Sequence, residues 1–371
     1  MMVQNLKPEI KIVIGSLFGD EGKGNIVQHL CKEAISRGKS PCVIRFSGGP
    51  QCGHRVIHNK IEHVFSSFGS GSLLNVPTFY LNSPNVYIDP VSMVLEYKDL
   101  LSKGVSIMYP GIVGDGDKLI RHITFYDILK NLRDDKILKD GTCGKGLFTT
   151  FQRTNSFPKV NLENISQLYK IERDLERESI YKECLDIITH YREKSSIYDY
   201  NVWIFEGSQG LLLNFYSPTE GEHTTPSFIT IDGITNNFKY LISDIKVDFY
   251  FVSRTYTTRH GNGYIPQYPE KLNTFFEDLD EPTNLDTGIQ GIFKKGVLDV
   301  DLINVALIST KVFCFPDNYT VNMVFTHCDC LKEDILPIID HNVVKIIRLS
   351  SIKKYLVDRI DNIIFCNSKE Y

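Results

Sequence analysis

The stretch from residue 10 to residue 37 constrains the fold more than any other part of the chain. It contains an apolar, β-branched run (IKIVIG, 10–15), a glycine-rich turn (GSLFGDEGKGN, 15–25) and a helix-like segment (26–37). A short apolar run that ends in turn residues is typical of a buried strand. We therefore expect a strand–loop–helix unit at the start of the chain.

The same alternation continues along the sequence and predicts an α/β fold. We predict a large, mainly parallel sheet flanked by helices, because strands that alternate with helices favour that architecture. Asp89 is the expected N-cap of a helix whose first residue is Pro90. The further strand runs are CVIRF (42–46), VWIF (202–205), FYFV (249–252) and VNMVF (321–325), and the further helix-like segments are 89–102, 118–133, 164–195 and 332–338.

No shift in composition marks a domain boundary, so we predict a single domain over 1–371. Within it, 161–200 is charged and is predicted to be a helical surface insertion. Residues 264–296 are predicted to form a long loop, and because long ordered loops are often functional, it is a candidate substrate loop.

Charge and cysteine content exclude several classes of protein. The net charge is −4, which argues against a general nucleic-acid-binding protein. The nine cysteines are scattered, and their odd number together with the absence of a signal pattern predicts a reduced, cytoplasmic protein. No apolar run approaches membrane-spanning length, so no membrane association is expected.

The glycine-rich turn has the composition of a phosphate-binding loop. Backbone N–H groups at a helix N-terminus attract anions, and this predicts phosphate contacts from Gly19, Gly22, Gly24 and Asn25. The spacing differs from the usual G-x-x-x-x-G-K-[ST] pattern. The acid Asp20 can hold Mg²⁺ or accept a proton, and Lys23 can neutralise a transferred phosphoryl group.

Four further polar turns also follow predicted strands. In each one a single residue type suggests chemistry: His54 an acid, Gln209 a contact to a polar base edge, Arg259 a carboxylate or phosphate contact, and Asp329 an acceptor for the N1–H and 2-amino group of guanine. Each also has a structural alternative, such as a hydrogen-bonded turn around Glu206 or an ion pair of Arg259. Taken singly, these turns leave both interpretations open.

Taken together, the turns resemble the sequence blocks of the adenylosuccinate synthetase family in order and spacing. GTCGKG (141–146) is similar to that family's phosphate segment, and VLD (297–299) is similar to the end of another of its blocks. The resemblance extends from about residue 10 to about residue 330. The blocks that carry it are GDEGKG (19–24), GGPQCGH (48–54), FEGSQG (205–210), TTRHGNG (257–263) and THCD (326–329).

The resemblance implies a P-loop-related fold, a homodimer, and the Mg²⁺-dependent joining of L-aspartate to IMP with GTP as co-substrate. Asp20 would remove the N1 proton of hypoxanthine and ligate Mg²⁺, with His54 as the acid and Lys23 stabilising phosphoryl transfer. Glu21 would structure the loop, and Arg153 is a candidate for reaching a partner's site. The resemblance further implies Gly53 as a Mg²⁺ ligand, Gln51, Thr142, Cys143, Gln209, Thr225 and Arg259 as contacts of the purine nucleotide, and Thr326 and Asp329 as contacts of GTP.

Where this family has an arginine-rich loop, the chain has TNLDTGIQGIFKKG (283–296), with Lys294 and Lys295 in place of arginines. This leaves two alternatives. One is the related enzyme that acts on dGMP, with ATP or GTP as co-substrate, and makes 2-aminodeoxyadenylosuccinate. The other is a purine-nucleotide sensor without ligase activity. Asp20 favours IMP over dGMP, because some dGMP enzymes have Ser at that position. The presence of both Asp20 and His54 argues against a sensor, which has no need of both a base and an acid.

Overall fold

The structure is a computed structural model. It describes residues 7–114, 120–138, 143–156, 196–214, 223–229, 231, 234, 238, 245–266, 269–277, 279, 291–310, 312 and 318–367. The strands are β1 (Glu9–Gly15), β2 (Pro41–Arg45), β3 (His54–His58), β4 (Ile61–Phe65), β5 (Thr78–Leu81), β6 (Tyr87–Ile88), β7 (Gly111–Val113), β8 (Arg121–His122), β9 (Val202–Gly210), β10 (Val247–Arg254), β11 (Thr257–His260), β12 (Phe293–Gly296), β13 (Leu298–Asp299), β14 (Tyr319–Thr326), β15 (Ile335–Asp340), β16 (Val343–Arg348) and β17 (Asn362–Phe365).

An eight-stranded sheet forms the centre of the molecule. Its strand order is β17-β14-β10-β1-β9-β2-β5-β7, and every neighbouring pair is parallel. Six of the seven residues of β1 are buried, as expected for a parallel strand covered on both faces. The predicted mainly parallel sheet is confirmed.

Helices cover this sheet, and their starts follow local sequence signals. Asp89 caps α2 by accepting a hydrogen bond from the Val91 N–H at 3.1 Å, with Pro90 at the first helical position as predicted. Among the described residues, no helix is both long and apolar enough to cross a membrane. The helices are α1 (Lys23–Ser36), α2 (Pro90–Ser102), α3 (Phe125–Leu138), α4 (Leu147–Ser156), α5 (Pro269–Phe275) and α6 (Val300–Ser309).

Two predicted helices differ from the structure. The helix predicted at 118–133 begins only at Phe125, because the Thr124 hydroxyl and the Asp127 carboxylate each accept a hydrogen bond from the other's backbone N–H and so cap the helix there. The helix predicted at 332–338 is wrong, since strand β15 occupies most of that segment. Proline is unfavourable inside a helix, and Leu336, Pro337 and Ile338 form a short run of buried residues, which is typical of a buried strand.

The predicted long loop at 264–296 is wrong as a description of the backbone. Its described part contains helix α5 and strand β12, and β12 forms an antiparallel ribbon with β11. Most of the stretch 283–296, as well as 161–195 within the predicted helical insertion, lies outside the described residues.

The topology brings the five polar turns to one edge of the sheet. They follow or end strands β1, β2, β9, β10 and β14, which are adjacent in the order β14-β10-β1-β9-β2. Because all five strands are parallel, their carboxyl ends meet at the same edge, which is where open α/β sheets bind ligands. This edge is the candidate site.

Candidate active site

Glu21 organises the glycine-rich turn from inside. Its carboxylate accepts hydrogen bonds from the N–H groups of Leu17 (2.9 Å) and Gly19 (3.1 Å), and the residue is almost fully buried. A side chain at Gly15 would collide with this carboxylate, since a Cβ there would lie 2.1 Å from Glu21 Oε2. Glu21 therefore structures the loop, and its charge points inward.

Lys23 is the counter-ion of Glu21. The Lys23 Nζ lies 2.6 Å from Glu21 Oε2, and both side chains are at most 3% exposed. Lys23 is also the first residue of α1, so the ion pair fixes the start of the helix. The structure thus gives Lys23 an internal partner, and its contact with a transferred phosphoryl group remains a prediction.

Asp20 faces outward, in contrast to its neighbour Glu21. Its backbone is left-handed, with φ of 57°, between Gly19 and Gly22, which have φ of 94° and 90°. Its Oδ2 lies 3.1 Å from His260 Nε2, and its side chain is 27% exposed. Burial of its carboxyl group acts to raise the pKa of Asp20, but His260, Arg254 and Lys23 outweigh it and lower that pKa below its usual value.

His54 is held beside the start of α1. A Cβ on Gly24 would lie 2.9 Å from His54 Cβ, so only glycine allows this close approach of helix and strand. The His54 Nδ1 lies 2.6 Å from Glu206 Oε1, and both residues are buried. Burial lowers the pKa of His54, and the nearby Glu206 carboxylate offsets this only in part.

Glu206 has further donors besides His54. The Ser70 N–H donates to Glu206 Oε2 at 3.0 Å, and the Ser70 hydroxyl donates to Oε1. Burial acts to raise the pKa of Glu206, but the charge and hydrogen bond of His54, followed by Arg45 and Ser70, lower it to about 2. The carboxylate is therefore ionised at neutral pH and fixes the imidazole of His54.

Three residues predicted to contact the purine nucleotide lie around Ser227. Gln209 Nε2 donates to the Ser227 carbonyl at 3.2 Å, and Ser227 N–H donates to the Thr225 carbonyl at 2.7 Å. The Ser227 hydroxyl accepts from the N–H of Gly48 at 2.7 Å, within the turn where Gln51 Oε1 accepts from the Gly49 N–H. Gln209 Oε1 and Gln51 Nε2 are buried without a hydrogen-bond partner, so each can bond to a ligand.

The segment that begins at Cys143 lies close to this group through Tyr87. The Tyr87 hydroxyl donates to the Pro226 carbonyl at 2.6 Å, and its ring packs with Leu147 at the start of α4. Cys143 is half-buried. Thr142 lies outside the described residues, so its predicted contact with the nucleotide phosphate stays a prediction.

The two arginines considered from the sequence have internal partners. Arg259 is 1% exposed, donates to the carbonyls of Tyr264 (2.9 Å) and His223 (3.2 Å), and lies 4.5 Å above the ring of Phe18. It braces the loop, and its predicted contact with the substrate stays a prediction. Arg153 binds the buried Asp127 carboxylate at 2.8 Å, which argues against a role in a partner's site.

The turn after β14 is joined to the glycine-rich turn. The Thr326 hydroxyl donates to the Glu21 carbonyl at 2.7 Å. Three residues later, Asp329 lies exposed in a short 3₁₀ turn, Cys328–Cys330. The predicted guanine-binding carboxylate of Asp329 thus lies at the end of β14, two strands from β1. His54 lies on the opposite side of β1, after strand β2.

Three contacts at this site are not indicated by the sequence. His260 occupies the variable position of TTR-x-G-x-G, and only the structure shows that it contacts Asp20. Ser70 lies in a serine- and glycine-rich stretch after β4 that carries no motif. The sequence allows a hydrogen-bonded turn around Glu206, but the pairing of Glu206 with His54 joins residues 152 positions apart, and no local pattern encodes such a contact.

Relatives of known sequence match most of the chain. The adenylosuccinate synthetase of Wolbachia pipientis wMel is 26% identical over 69% of this chain and 64% of its own length, and that of Wigglesworthia glossinidia brevipalpis is 27% identical over 72% of this chain and 67% of its own length. The chain therefore spans about two thirds of the length of these relatives.

Two solved structures share the fold. The fully ligated adenylosuccinate synthetase of Plasmodium falciparum gives a TM-score of 0.59 at 18% identity, covering 91% of this chain and 82% of that one. The succinoaminodeoxyadenylate synthetase of cyanophage S-2L, bound to dGMP and dATP, gives 0.59 at 13% identity, covering 96% and 91%. The family model for adenylosuccinate synthetase matches residues 12–201, just over half of the chain, and these residues include the glycine-rich turn and His54. With that match added to the arrangement of the five turns, the chain belongs to the adenylosuccinate synthetase family.

Proposed function

We propose that the chain is a ligase that joins L-aspartate to C6 of IMP, using GTP and passing through a 6-phosphoryl intermediate. One observation carries the proposal: a half-buried carboxylate, Asp20, and a buried imidazole, His54, flank the start of α1 at the ligand-binding edge of the sheet. Joining an amine to a 6-oxopurine requires a base at N1 and an acid near the transferred phosphoryl group. We also propose a homodimer, as the family resemblance implies.

Asp20 is the proposed base. Its pKa is lowered, so it is ionised at neutral pH and ready to accept the N1 proton. Loss of this proton places negative charge on O6, which then attacks the γ-phosphate. In the second step the aspartate amine bonds to C6, the C6–O6 bond breaks, and phosphate leaves with O6. Gln209 Oε1, buried without a donor, supports a contact with a polar edge of the purine.

His54 is the proposed acid. Burial keeps its imidazole neutral in the free protein, with Nδ1 next to Glu206. The negative charge of bound phosphates favours the protonated form, and the Glu206 carboxylate at 2.6 Å stabilises it. His54 Nε2 then carries the proton that is donated toward the phosphate region. Glu206 acts through His54 and is a positioning residue.

The residues at this site fit Mg²⁺. The exposed Gly53 offers a carbonyl and Asp20 offers a partly exposed carboxylate, and oxygen ligands are those that Mg²⁺ prefers. We propose that these two residues hold the ion together with oxygens of the co-substrate. When bound, Mg²⁺ would offset negative charge on the phosphates.

Asp329 is the proposed guanine contact, and its substitution tests the choice of co-substrate. Asp329→Asn should raise the KM for GTP about 10- to 100-fold, because an amide cannot accept from both the N1–H and the 2-amino group. The KM for IMP should stay unchanged. Asp334→Asn is the matched control, since Asp334 is an exposed acid on a neighbouring turn. An unchanged GTP preference in Asp329→Asn would contradict this assignment.

One assay separates the proposal from its alternatives. The protein is incubated with Mg²⁺, L-aspartate, GTP or ATP, and IMP or dGMP, and the succino-product and nucleotide hydrolysis are measured by chromatography. We expect product from IMP with GTP. Product from dGMP alone would establish the 2-aminodeoxyadenylosuccinate reaction instead. Nucleotide binding without product in every combination would favour a sensor.

A further inference from the structure

The residue at the variable position of the TTR-x-G-x-G block contacts the proposed base. His260 Nε2 lies 3.1 Å from Asp20 Oδ2, with side chains 18% and 27% exposed. Asp20 lies in the turn after β1, and His260 ends β11, the strand that follows β10; β1 and β10 are neighbours in the sheet, and ligands of such a sheet bind at the ends of its strands. A histidine here is therefore placed to influence Asp20 directly.

The backbone around Asp20 is fixed by the same segment. Arg254 Nε donates to the Asp20 carbonyl, and the Thr258 hydroxyl donates to the Gly19 carbonyl at 2.8 Å. Asp20 has a left-handed backbone, which an aspartate adopts at a cost unless the surroundings impose it. Residues 254–260 thus hold Asp20 at its main chain as well as at its side chain.

His260 is itself held in one orientation. It pairs with Phe293 across the β11–β12 ribbon, and the two ring centroids lie 4.8 Å apart. The Phe293 ring also lies within 6.0 Å of the Arg254 guanidinium and 5.8 Å of the Lys295 ammonium. Phe293 belongs to the segment that stands where the family has its arginine-rich loop. In this chain, the described part of that segment supports the histidine that contacts the base.

We propose that His260 is a positioning residue for Asp20, a role that rests on the function proposed above. His260 donates its Nε2 proton to Asp20 Oδ2 and keeps that proton throughout. The other carboxylate oxygen, Oδ1, is then left facing the purine. In the proton transfer the N1–H bond breaks and an Oδ1–H bond forms, so only one proton moves. A base held at one oxygen has a fixed direction, and such alignment of reacting atoms lowers the barrier.

Kinetics of three variants test this role. His260→Ala should lower kcat about 10- to 100-fold, the size of the loss that follows removal of a hydrogen bond that orients a metal ligand. The KM for IMP should stay within about threefold, because the lost contact acts on the base and not on the substrate. His260→Gln should recover much of kcat, since its amide can still donate to Oδ2. His29→Ala, on the exposed face of α1, is the control and should behave as wild type.

Two kinetic outcomes would overturn the proposal. One is a kcat for His260→Ala within twofold of wild type. The other is a raised KM for IMP with unchanged kcat, which would make His260 a substrate contact. Phe293→Ala should give a smaller loss of kcat than His260→Ala, because the imidazole loses its support but keeps its donor.

A spectroscopic measurement tests the contact without any reaction. The protein is labelled with [¹⁵N]histidine, and the His260 resonances are identified by their loss in His260→Gln. We expect a protonated Nε2 whose resonance shifts in Asp20→Asn and does not shift in Asp329→Asn. If the wild type made no succino-product, the proposed function would be wrong. The spectra would still show whether His260 donates a hydrogen bond to Asp20. A His260 protonated at Nδ1 alone, with no response to Asp20→Asn, would rule it out.

Discussion

Two carboxylate–imidazole pairs lie at the same edge of the sheet, and they differ in burial. In the buried pair, Glu206 and His54 are 2.6 Å apart with side chains 0% and 6% exposed. In the mouth pair, Asp20 and His260 are 3.1 Å apart and partly exposed. The same two functional groups therefore meet in two different environments.

The difference lies in what surrounds each carboxylate. Glu206 is held by His54 and twice by Ser70, and none of these contacts is open to water. Asp20 has His260 on one oxygen and an open side toward the site. A buried, fully bonded carboxylate contributes to stability and fixes its partner, whereas a half-exposed one can exchange its contacts with substrate or metal. We therefore assign a structural and positioning role to the buried carboxylate, Glu206, and the role of reacting base to the mouth carboxylate, Asp20.

The largest expected effect is that of Asp20→Asn on catalysis. The amide cannot accept the N1 proton, so kcat should fall about 10³-fold, equivalent to about 4 kcal/mol. IMP and GTP binding, measured by calorimetry, should change little. Asparagine tolerates a left-handed backbone, so stability should also change little. Retained turnover would remove Asp20 from the role of base.

Glu206→Gln should have the largest effect on stability. The amide NH₂ would either face the Ser70 N–H or replace the acceptor of His54, and the charge that faces Arg45 is lost. We expect a loss of about 3 kcal/mol in the free energy of unfolding, as for other broken buried pairs, measured by urea denaturation. A loss no larger than that of Asp20→Asn would show that the two pairs do not differ as argued.

The buried pair should also make stability depend on pH. The pKa of Glu206 is about 2 in the folded protein against an ordinary value of 4.5. A carboxyl whose pKa is lowered by folding stabilises the protein fully above its unfolded pKa, and this stabilisation is lost as pH falls toward the folded pKa. The advantage of wild type over Glu206→Gln should therefore shrink by about 2 kcal/mol between pH 6 and pH 3. A constant difference across this range would contradict a lowered pKa.

How far the sequence could predict this site depends on the distance over which each contact acts. The five polar turns could be placed at one edge because parallel strands bring their carboxyl ends together, which needs only a list of strands. The pairing of His54 with Glu206 depends on strand order and on an exact fit at Gly24, which no local pattern contains. The contact of His260 with Asp20 could not be predicted, because the TTR-x-G-x-G block allows any residue at the position of His260.

Two secondary-structure predictions were wrong because the local sequence does not determine the element that forms there. The segment 332–338 has charged residues that suit a helix, but Pro337 and the burial of Leu336 and Ile338 make a strand the better solution. The segments PQYPEK and DEPTN within 264–296 predict a loop. Strand β12 forms there because it pairs with β11, a tertiary contact that composition does not report.

The smallest effects should come from removing one neutral hydrogen bond beside each pair. Ser70→Ala removes one hydroxyl donor from Glu206, which keeps its bonds from the Ser70 N–H and from His54. The free energy of unfolding should therefore fall by about 1 kcal/mol, and kcat should fall no more than about twofold. Thr258→Val removes the hydroxyl that binds the Gly19 carbonyl, with a similar loss of stability. This second change loosens the backbone of Asp20 itself, and so kcat should fall about fivefold or more. Equal losses of kcat in the two variants, measured under saturating substrates, would mean that both pairs position the reacting groups to the same degree.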